Sequence, residues 1–220
     1  MVTMPSPKTN AAKAALEYVK DGMCIGLGSG STAREFLKLL VEKVKKENLK
    51  VCCVTTSLDT RMLAIENNLW VVEPDTIVDI DLAVDGADIV TKDGLLKGGG
   101  GALTREKIID YNAKKFIVIA DESKVVDKLE GNVALEVLPF AAPFVLRELK
   151  QYKPKIRMAI KKLGPVISDN GCYIVDMDMK IDDPKKTEAW LKSIPGIIEN
   201  GIFTKFDKII VGSESGSRVL

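Results

Sequence analysis

The sequence contains no histidine among its 220 residues. This absence excludes a Ser-His-Asp triad, a histidine-ligated metal centre and an imidazole general base. If the protein is an acid–base enzyme, Asp, Glu, Lys, Tyr or Cys must carry its protons. The four cysteines, Cys24, Cys52, Cys53 and Cys172, lack the spacing of a metal site. Their placement predicts reduced, buried thiols.

Long hydrophobic runs are also absent. Apolar segments such as 116–120 are far too short to span a bilayer, and residues 1–10 lack the apolar core of a signal peptide. These features predict a cytoplasmic protein that does not bind membranes. Apolar residues make up 46% of the chain and charged residues 29%, which excludes a disordered or fibrous protein.

An excess of one charge is missing too, because 32 Lys and Arg residues oppose 31 Asp and Glu residues. The net charge of +1 supplies no field that would recruit nucleic acid or an anionic membrane. Residues 153–162 hold five basic residues, but no aromatic side chains interleave with them and acidic residues follow from Asp176. The pattern favours a solvated surface over a nucleic-acid patch.

The chain begins with short apolar strands that alternate with helices. This order is typical of an α/β fold with a doubly wound, mostly parallel sheet (Rossmann-like). The predicted strands are 23–27, 50–54, 69–72, 80–84 and 115–120, and the predicted helices are 11–20, 31–46, 57–67 and 102–113.

After about residue 132 the pattern changes to that of a smaller α+β subdomain. It predicts an α/β catalytic domain over 1–132 plus 205–220, and the subdomain over 133–204. The predicted elements of this part are strands at 133–140 and 197–203, a strand pair over 165–180 that turns at 169–171, helices at 142–151 and 184–193, and a last strand at 208–211 that returns to the first sheet.

Polar residues follow each strand of the predicted parallel sheet, and ligands bind at that edge in open α/β folds. The first such segment is a glycine-rich turn at 26–32. Helix amides and hydroxyl groups there suit a phosphate, although a tight turn that merely needs glycine explains the segment equally well. It is neither a dinucleotide fingerprint, because Ser31 stands where a glycine is needed, nor a Walker loop.

The segment after strand 80–84 carries more chemistry. Asp85 and Asp88 flank a turn, and the following residues predict a hairpin with Asp93-Gly94 at its tip. Folding there pairs Leu96 with Thr91 and brings Lys97 back to within two residues of Asp88. Four glycines follow at 98–101, as expected where the chain approaches a ligand closely. A capping role for the aspartates is the alternative, but the lysine and the glycines favour a site.

Glu106 stands out in the predicted helix 102–113, since it falls on the face that should pack inward. One interpretation is that Glu106 forms an ion pair with a nearby lysine, or that its side chain extends so that the carboxylate reaches solvent. The other is a partly desolvated general base.

Five motifs together resemble the type A ribose-5-phosphate isomerases, in the order and with the spacing of that family. The resemblance covers nearly the whole chain, with Ser29 in place of the more usual threonine and Cys172 in place of a frequent asparagine. The motifs are GLGSGSTA at 26–33, DGAD at 85–88, KGGGGALTREK at 97–107, ADESK at 120–124 and SDNG at 168–171.

The resemblance implies interconversion of D-ribose 5-phosphate and D-ribulose 5-phosphate in the non-oxidative pentose phosphate pathway, without metal or cofactor. It implies a homodimer or homotetramer whose ligand is a small sugar phosphate, with no nucleic acid partner. Glu106 would be the proton acceptor, Lys97 would offset oxyanion charge, and Asp85 with Asp88 would assist ring opening and hydroxyl proton transfers. The implied substrate-binding residues are Ser29, Gly30, Ser31, Thr32, Asp85, Gly86, Ala87, Asp88, Lys97, Gly98, Gly99, Gly100 and Lys124, with Lys8 a weaker match.

Two other classes of protein can share this architecture. A sugar-phosphate-sensing regulator would need a helix-turn-helix segment, which does not fit ahead of the first helix, and it would have no use for a buried glutamate. A coenzyme A transferase could use a glutamate nucleophile, but the short chain and the phosphate-suited cluster disfavour it.

Overall fold

The computed structural model describes residues 6–76 and 79–220, and these form two compact units. Among the described residues, the first unit comprises 6–76, 79–87, 105–125 and 205–220, and the second comprises 88–104 and 126–204. The chain therefore passes between the units four times, so neither unit is a continuous stretch of sequence.

The first unit is built on one seven-stranded sheet. Its strands are β1 (Cys24–Leu27), β2 (Cys52–Thr55), β3 (Trp70–Val71), β4 (Leu82–Gly86), β7 (Phe116–Asp121), β13 (Lys208–Ser213) and β14 (Gly216–Val219). They lie in the order β14-β13-β7-β4-β1-β2-β3. All neighbouring strands are parallel except β13 and β14, which pair as an antiparallel hairpin. The mostly parallel α/β fold is thus confirmed, as is the return of the last predicted strand to this sheet.

Helices α1 (Pro7–Leu16), α2 (Gly30–Glu47), α3 (Leu58–Glu66) and α4 (Leu103–Asn112) accompany these strands. Helix α2 buries the apolar stripe that its sequence predicts, including Phe36, Leu37 and Leu40. The first helix begins four residues earlier than predicted, because Pro7 suits a first helical turn and the hydroxyl of Ser6 caps the amide of Thr9.

The second unit contains two small sheets. Their strands are β5 (Ile89–Val90), β6 (Leu95–Leu96), β8 (Leu129–Val137), β9 (Lys155–Ile156), β10 (Tyr173–Ile181), β11 (Ile197–Asn200) and β12 (Ile202–Phe203). The strand orders are β11-β8-β10-β9 and β12-β6-β5. Helices α5 (Ala142–Glu148) and α6 (Pro184–Ser193) complete the unit. Apolar residues of both sheets and both helices form its core, among them Leu135 of β8, Ile202 of β12 and Leu191 of α6.

The units differ from the predicted domains in two segments, 88–104 and 126–132. The first belongs with the second unit because β6 pairs with β12. The second does so because β8 begins at Leu129 and pairs with β10 along all nine residues. The predicted strand pair over 165–180 is wrong in its first arm, since residues 165–172 form only isolated bridges, at Pro165 and Ile167, before the long strand β10 begins.

The cysteines are free thiols; Cys24, Cys53 and Cys172 are buried as predicted, whereas the prediction is wrong for Cys52, which is half-buried. Burial raises the pKa of Cys53 to about 12 and raises the pKa of Cys24 as well. Both thiols therefore stay protonated at neutral pH, as inert core residues do. No helix in the described part of the chain is long and apolar enough to cross a membrane.

Candidate active site

In the first unit, the turn after β1 is shaped by the carboxylate of Asp85. This fully buried side chain accepts hydrogen bonds through Oδ1 from the amide of Ser29 at 3.0 Å and from that of Gly86 at 2.6 Å. A Cβ on Gly28 would overlap with the Asp85 carboxylate, so only glycine fits there. Gly30 has φ +87°, in the left-handed region that favours glycine. In this segment Gly28 lets the backbone approach the Asp85 carboxylate closely, and Gly30 allows the left-handed backbone of the turn.

Glu106 lies in the first turn of α4, and only 4% of its surface is exposed. The hydroxyl of Ser29 donates a hydrogen bond of 2.5 Å to Glu106 Oε1. The inward orientation expected for this residue is therefore correct. Ser29 is also the N-cap residue of α2 and has extended backbone there, but its side chain caps none of the described helix amides. Its hydroxyl donates to Glu106 instead.

Lys8, Gly86 and residues 29–32, which are among the predicted substrate-binding residues of this unit, lie at the start of α2. Lys8 Nζ donates to the hydroxyl of Ser31 at 3.0 Å, and Thr32 is buried. A Cβ on Gly86 would lie 3.7 Å from the carbonyl oxygen of Ser29 and 3.9 Å from Thr32 Cβ. An ammonium group, hydroxyls and the positive end of a helix dipole therefore meet at one point, as an anion site requires.

Thr60, which sequence reasoning missed, supports this turn. Its hydroxyl donates to the carbonyl of Gly28 at 3.0 Å and accepts from Ser57 Oγ at 3.0 Å. Lys124 ends a short 3₁₀ helix that directly follows β7. The side chain of Asp121 caps that helix by accepting from Ser123 N at 3.2 Å, so the position of Lys124 after the strand is well defined.

In the second unit, Asp88 and Lys97 flank the hairpin formed by β5 and β6. The observed register pairs Ile89 with Leu96 and Val90 with Leu95. The predicted two-residue turn is wrong: Thr91 Oγ1 donates to the carbonyl of Gly94 and accepts from its amide, which makes a four-residue loop. The shift places Asp88 opposite Lys97, and Asp88 N donates to the carbonyl of Leu96 at 2.8 Å.

Lys97 is a buried cation, with 4% of its surface exposed and its Nζ 5.4 Å from the ring centroid of Phe203. A cation near the face of an aromatic ring is stabilised by the ring's quadrupole. Its backbone amide donates to the carbonyl of Gly201 at 2.8 Å. Lys97 is thus held at both its backbone and its side chain.

The four glycines have different reasons to be glycine. Gly98 has φ +109°, and a Cβ there would lie 2.8 Å from that of Ala134; Gly101 has φ +77°. Gly99 donates its amide to Asp88 Oδ2 at 2.8 Å. Around Gly100 no described atom lies within 4 Å of the Cβ position, leaving room beside this peptide.

Two further features of the second unit were not assigned from the sequence. Arg157 contacts the carbonyl oxygens of Gly98 and Gly99, although its basic stretch had been predicted to be solvated surface. The SDNG motif holds a buried carboxylate, since Ser168 Oγ and Asn170 Nδ2 donate to Glu136 Oε1 at 2.6 and 3.0 Å. Burial and the neighbouring Glu136 raise the pKa of Cys172. This motif is therefore a structural element of the unit.

Each unit, taken by itself, holds a group suited to proton-transfer chemistry: Glu106 in the first and Lys97 in the second. A shielded carboxylate with a hydroxyl donor is a suitable base, and a buried ammonium group can stabilise an oxyanion. Among the described residues, no three of His, Cys, Asp and Glu are grouped so that they could hold a metal ion.

Comparison with known proteins gives a consistent assignment. Residues 52–216 match the family model of ribose 5-phosphate isomerase A (phosphoriboisomerase A). The ribose-5-phosphate isomerase A of Methanococcus aeolicus is 51% identical, over 97% of this chain and 94% of its own. The solved structure of the enzyme from Methanocaldococcus jannaschii has a TM-score of 0.93 at 46% identity, covering 97% of both chains.

A second solved structure, of a D-ribose-5-phosphate isomerase in complex with phospho-erythronic acid, has a TM-score of 0.92 at 46% identity and covers 97% of this chain and 96% of its own. Such matches along almost the whole chain decide against the sugar-phosphate-sensing regulator and the coenzyme A transferase. They confirm the resemblance that the five motifs indicate. The chain belongs to the ribose 5-phosphate isomerase A family.

Proposed function

We propose that this protein is an aldose-ketose isomerase that interconverts D-ribose 5-phosphate and D-ribulose 5-phosphate through an enediolate. The observation that carries the proposal is the buried carboxylate of Glu106 with the Ser29 hydroxyl 2.5 Å away, in a chain of this family. Phospho-erythronic acid, which a related isomerase binds, is a phosphorylated polyhydroxy acid and so shares the chemistry of the proposed substrate.

The reaction moves one proton between adjacent carbons, so it requires one base that reaches both. Glu106 would take the proton from C2 of ribose 5-phosphate and return it to C1. Because the side chain is buried, little water would compete with the substrate for its carboxylate. The Ser29 hydroxyl orients the carboxylate by donating to one oxygen.

Charge that develops on the carbonyl oxygen must be offset as the enediolate forms. Lys97 is the proposed electrophile, because its ammonium group is already desolvated and fixed beside Phe203. Asp85 and Asp88 would assist ring opening and the hydroxyl proton transfers. The substrate-binding residues of the second unit would be the peptides of Gly98, Gly99 and Gly100.

The phosphate would be held at the start of α2. The proposed ligands are the amides and hydroxyls of Ser29 to Thr32, together with Lys124 and with Lys8, whose ammonium group already contacts Ser31. The amides of a helix N-terminus and its dipole favour a dianion at this point. Gly86 and Ala87 would line the same pocket from the end of β4.

The wider setting is part of the proposal. The protein would act in the cytoplasm, in the non-oxidative pentose phosphate pathway, as a homodimer or homotetramer. Ribose-5-phosphate isomerase A relatives match this chain over nearly its full length, which supports the pathway assignment. Light scattering on the purified protein would determine the oligomeric state.

The test of the base is Glu106→Gln, which preserves the side chain's size but removes its proton affinity. We expect kcat for ribose 5-phosphate to fall at least about 100-fold with little change in KM, since general-base catalysis contributes about 10²–10⁴-fold. The matched control is Glu66→Gln, at an exposed glutamate at the end of α3, which should leave both constants unchanged. Near-normal turnover in Glu106→Gln would point to Asp85 as the base instead.

Phosphate recognition is tested separately with Lys124→Ala. Loss of one cation from the phosphate site should raise KM about tenfold or more while kcat changes much less, and ribose without phosphate should be a very poor substrate. Lys128→Ala, at an exposed lysine four residues further on, serves as the control. An unchanged KM in Lys124→Ala would remove this residue from the site.

A further inference from the structure

The guanidinium group of Arg157 links an ion pair to the glycine loop of the second unit. Nε and Nη2 donate to the two carboxylate oxygens of Asp176 at 2.7 and 2.5 Å. Nη1 donates to the carbonyl of Gly98 at 3.0 Å and to that of Gly99 at 2.9 Å. Four hydrogen bonds to three residues fix the plane of this group, which a flexible ammonium group would not achieve.

The backbone of Arg157 is fixed as well. Its amide donates to the carbonyl of Ile174 at 2.8 Å, and its carbonyl accepts from the amide of Val166 at 2.8 Å. Only 19% of the side chain is exposed. The guanidinium group is therefore supported by strand β10 on one side and by the segment that precedes the SDNG motif on the other.

The contact with Gly98 reaches Asp88 through a single peptide group. The carbonyl of Gly98 and the amide of Gly99 belong to the same rigid plane and point in opposite directions. Arg157 binds the carbonyl end of this plane at 3.0 Å, and Asp88 Oδ2 accepts from the amide end at 2.8 Å. The orientation of the Asp88 carboxylate is thereby tied to the guanidinium group.

The next peptide is held in the same way. Its carbonyl, on Gly99, accepts from Arg157, so the amide of Gly100 must point away from the guanidinium group. The Cβ position of Gly100 has no described atom within 4 Å, so this peptide borders open space. Glycine peptides have no side chains to restrict them. The amide of Gly101 donates to the carbonyl of Gly98 at 3.0 Å, which closes the loop as a turn, and Arg157 adds a clamp from outside the loop.

We propose that Arg157 is a positioning residue of the isomerase, which orients Asp88 and the peptides of Gly98 to Gly100 for the substrate. This inference rests on the proposed function, because the residues that Arg157 orients are ones that the proposed function places at the substrate. Arg157 touches no reacting atom. It acts through the glycine loop, and Asp176 acts in turn by fixing the guanidinium group.

The experiment compares Arg157→Met and Arg157→Lys with the wild type in steady-state assays on ribose 5-phosphate. We expect kcat to fall about tenfold or more in Arg157→Met, because small displacements of catalytic groups are costly, with a smaller rise in KM. Arg157→Lys keeps the charge but not the planar set of donors, so its kcat should lie between that of the wild type and that of Arg157→Met. Arg147→Met, at an exposed arginine of α5, is the matched control and should retain wild-type constants.

Rescue separates positioning from a general loss of stability. In Arg157→Ala, millimolar methylguanidinium should restore part of kcat, while it should leave Arg147→Ala unchanged. If Arg157→Met fails to fold, Arg157→Lys decides the question by its kcat. Folded Arg157 variants with wild-type kcat and KM would overturn the inference alone, whereas a wild-type protein that cannot isomerise ribose 5-phosphate would overturn the proposed function as well.

Discussion

Ser29 shows how much a single small residue does in the first unit. Its amide donates to Asp85, its hydroxyl donates to Glu106, and its backbone occupies the N-cap of α2. One residue therefore joins the two carboxylates to the start of the helix that would bind phosphate. The threonine that is more usual in the family at this position has the same hydroxyl group.

Substitution of Ser29 tests the contribution of its hydroxyl separately from that of its backbone. We expect Ser29→Ala to lower kcat about 10- to 150-fold, because a hydrogen bond to a charged group contributes about 1.5–3 kcal/mol. Ser29→Thr restores the donor and should have nearly wild-type kcat. Parallel assays of the two variants check this expectation, and equal losses in both would show that the hydroxyl does not act on Glu106.

Individual residues differ in how far the sequence reveals them. Glu106 could be identified because a carboxylate falls on the buried face of a helix, and Lys97 because a hairpin returns it to Asp88. Arg157 could not, since its contacts with Gly98 and Gly99 join positions 59 and 58 residues apart. Within the sequence it is one of five basic residues in a short stretch, and nothing local distinguishes it from its solvated neighbours.

At the scale of elements, the glycine loop between β6 and α4 offers a matched pair of substitutions. Gly98→Ala should lower the free energy of unfolding by about 1–3 kcal/mol, because φ is positive and the new Cβ would meet that of Ala134 at 2.8 Å. Gly100→Ala meets no described atom and should change stability far less. Denaturant titrations of both variants measure the difference. Equal destabilisation would mean that the loop relaxes around the added methyl group.

The elements themselves were predictable where local patterns dominate. The parallel strands of the first unit and helix α6 follow from apolar runs and from Pro184 after the capping Asp183. The register of the β5–β6 hairpin was not predictable from the sequence. The Thr91 side chain bonds to Gly94, so the loop has four residues instead of the two-residue turn suggested by Asp93-Gly94. Gly201 likewise interrupts the predicted strand 197–203, so that β11 and β12 enter different sheets.

For the whole molecule, the lack of histidine bears on the mechanism. An enediolate route with a carboxylate base and an ammonium group needs no metal, and the sequence contains no imidazole ligand. We therefore expect full isomerase activity after exhaustive treatment with EDTA. Assays before and after chelation, with divalent ions added back, test this. Activity that disappears with EDTA and returns with a divalent ion would contradict the proposed mechanism.

The start of α2 has a consequence for local dynamics. Because the Ser29 hydroxyl is engaged by Glu106, the first turn of this helix begins without a side-chain cap among the described residues. Local opening should then be easiest at this turn when the site is empty, and backbone hydrogen exchange should be rapid there. A bound phosphate ester would supply the missing acceptors and slow the exchange. A phosphate bound there would couple its binding energy to the ordering of the turn that carries Ser29, whose hydroxyl contacts Glu106.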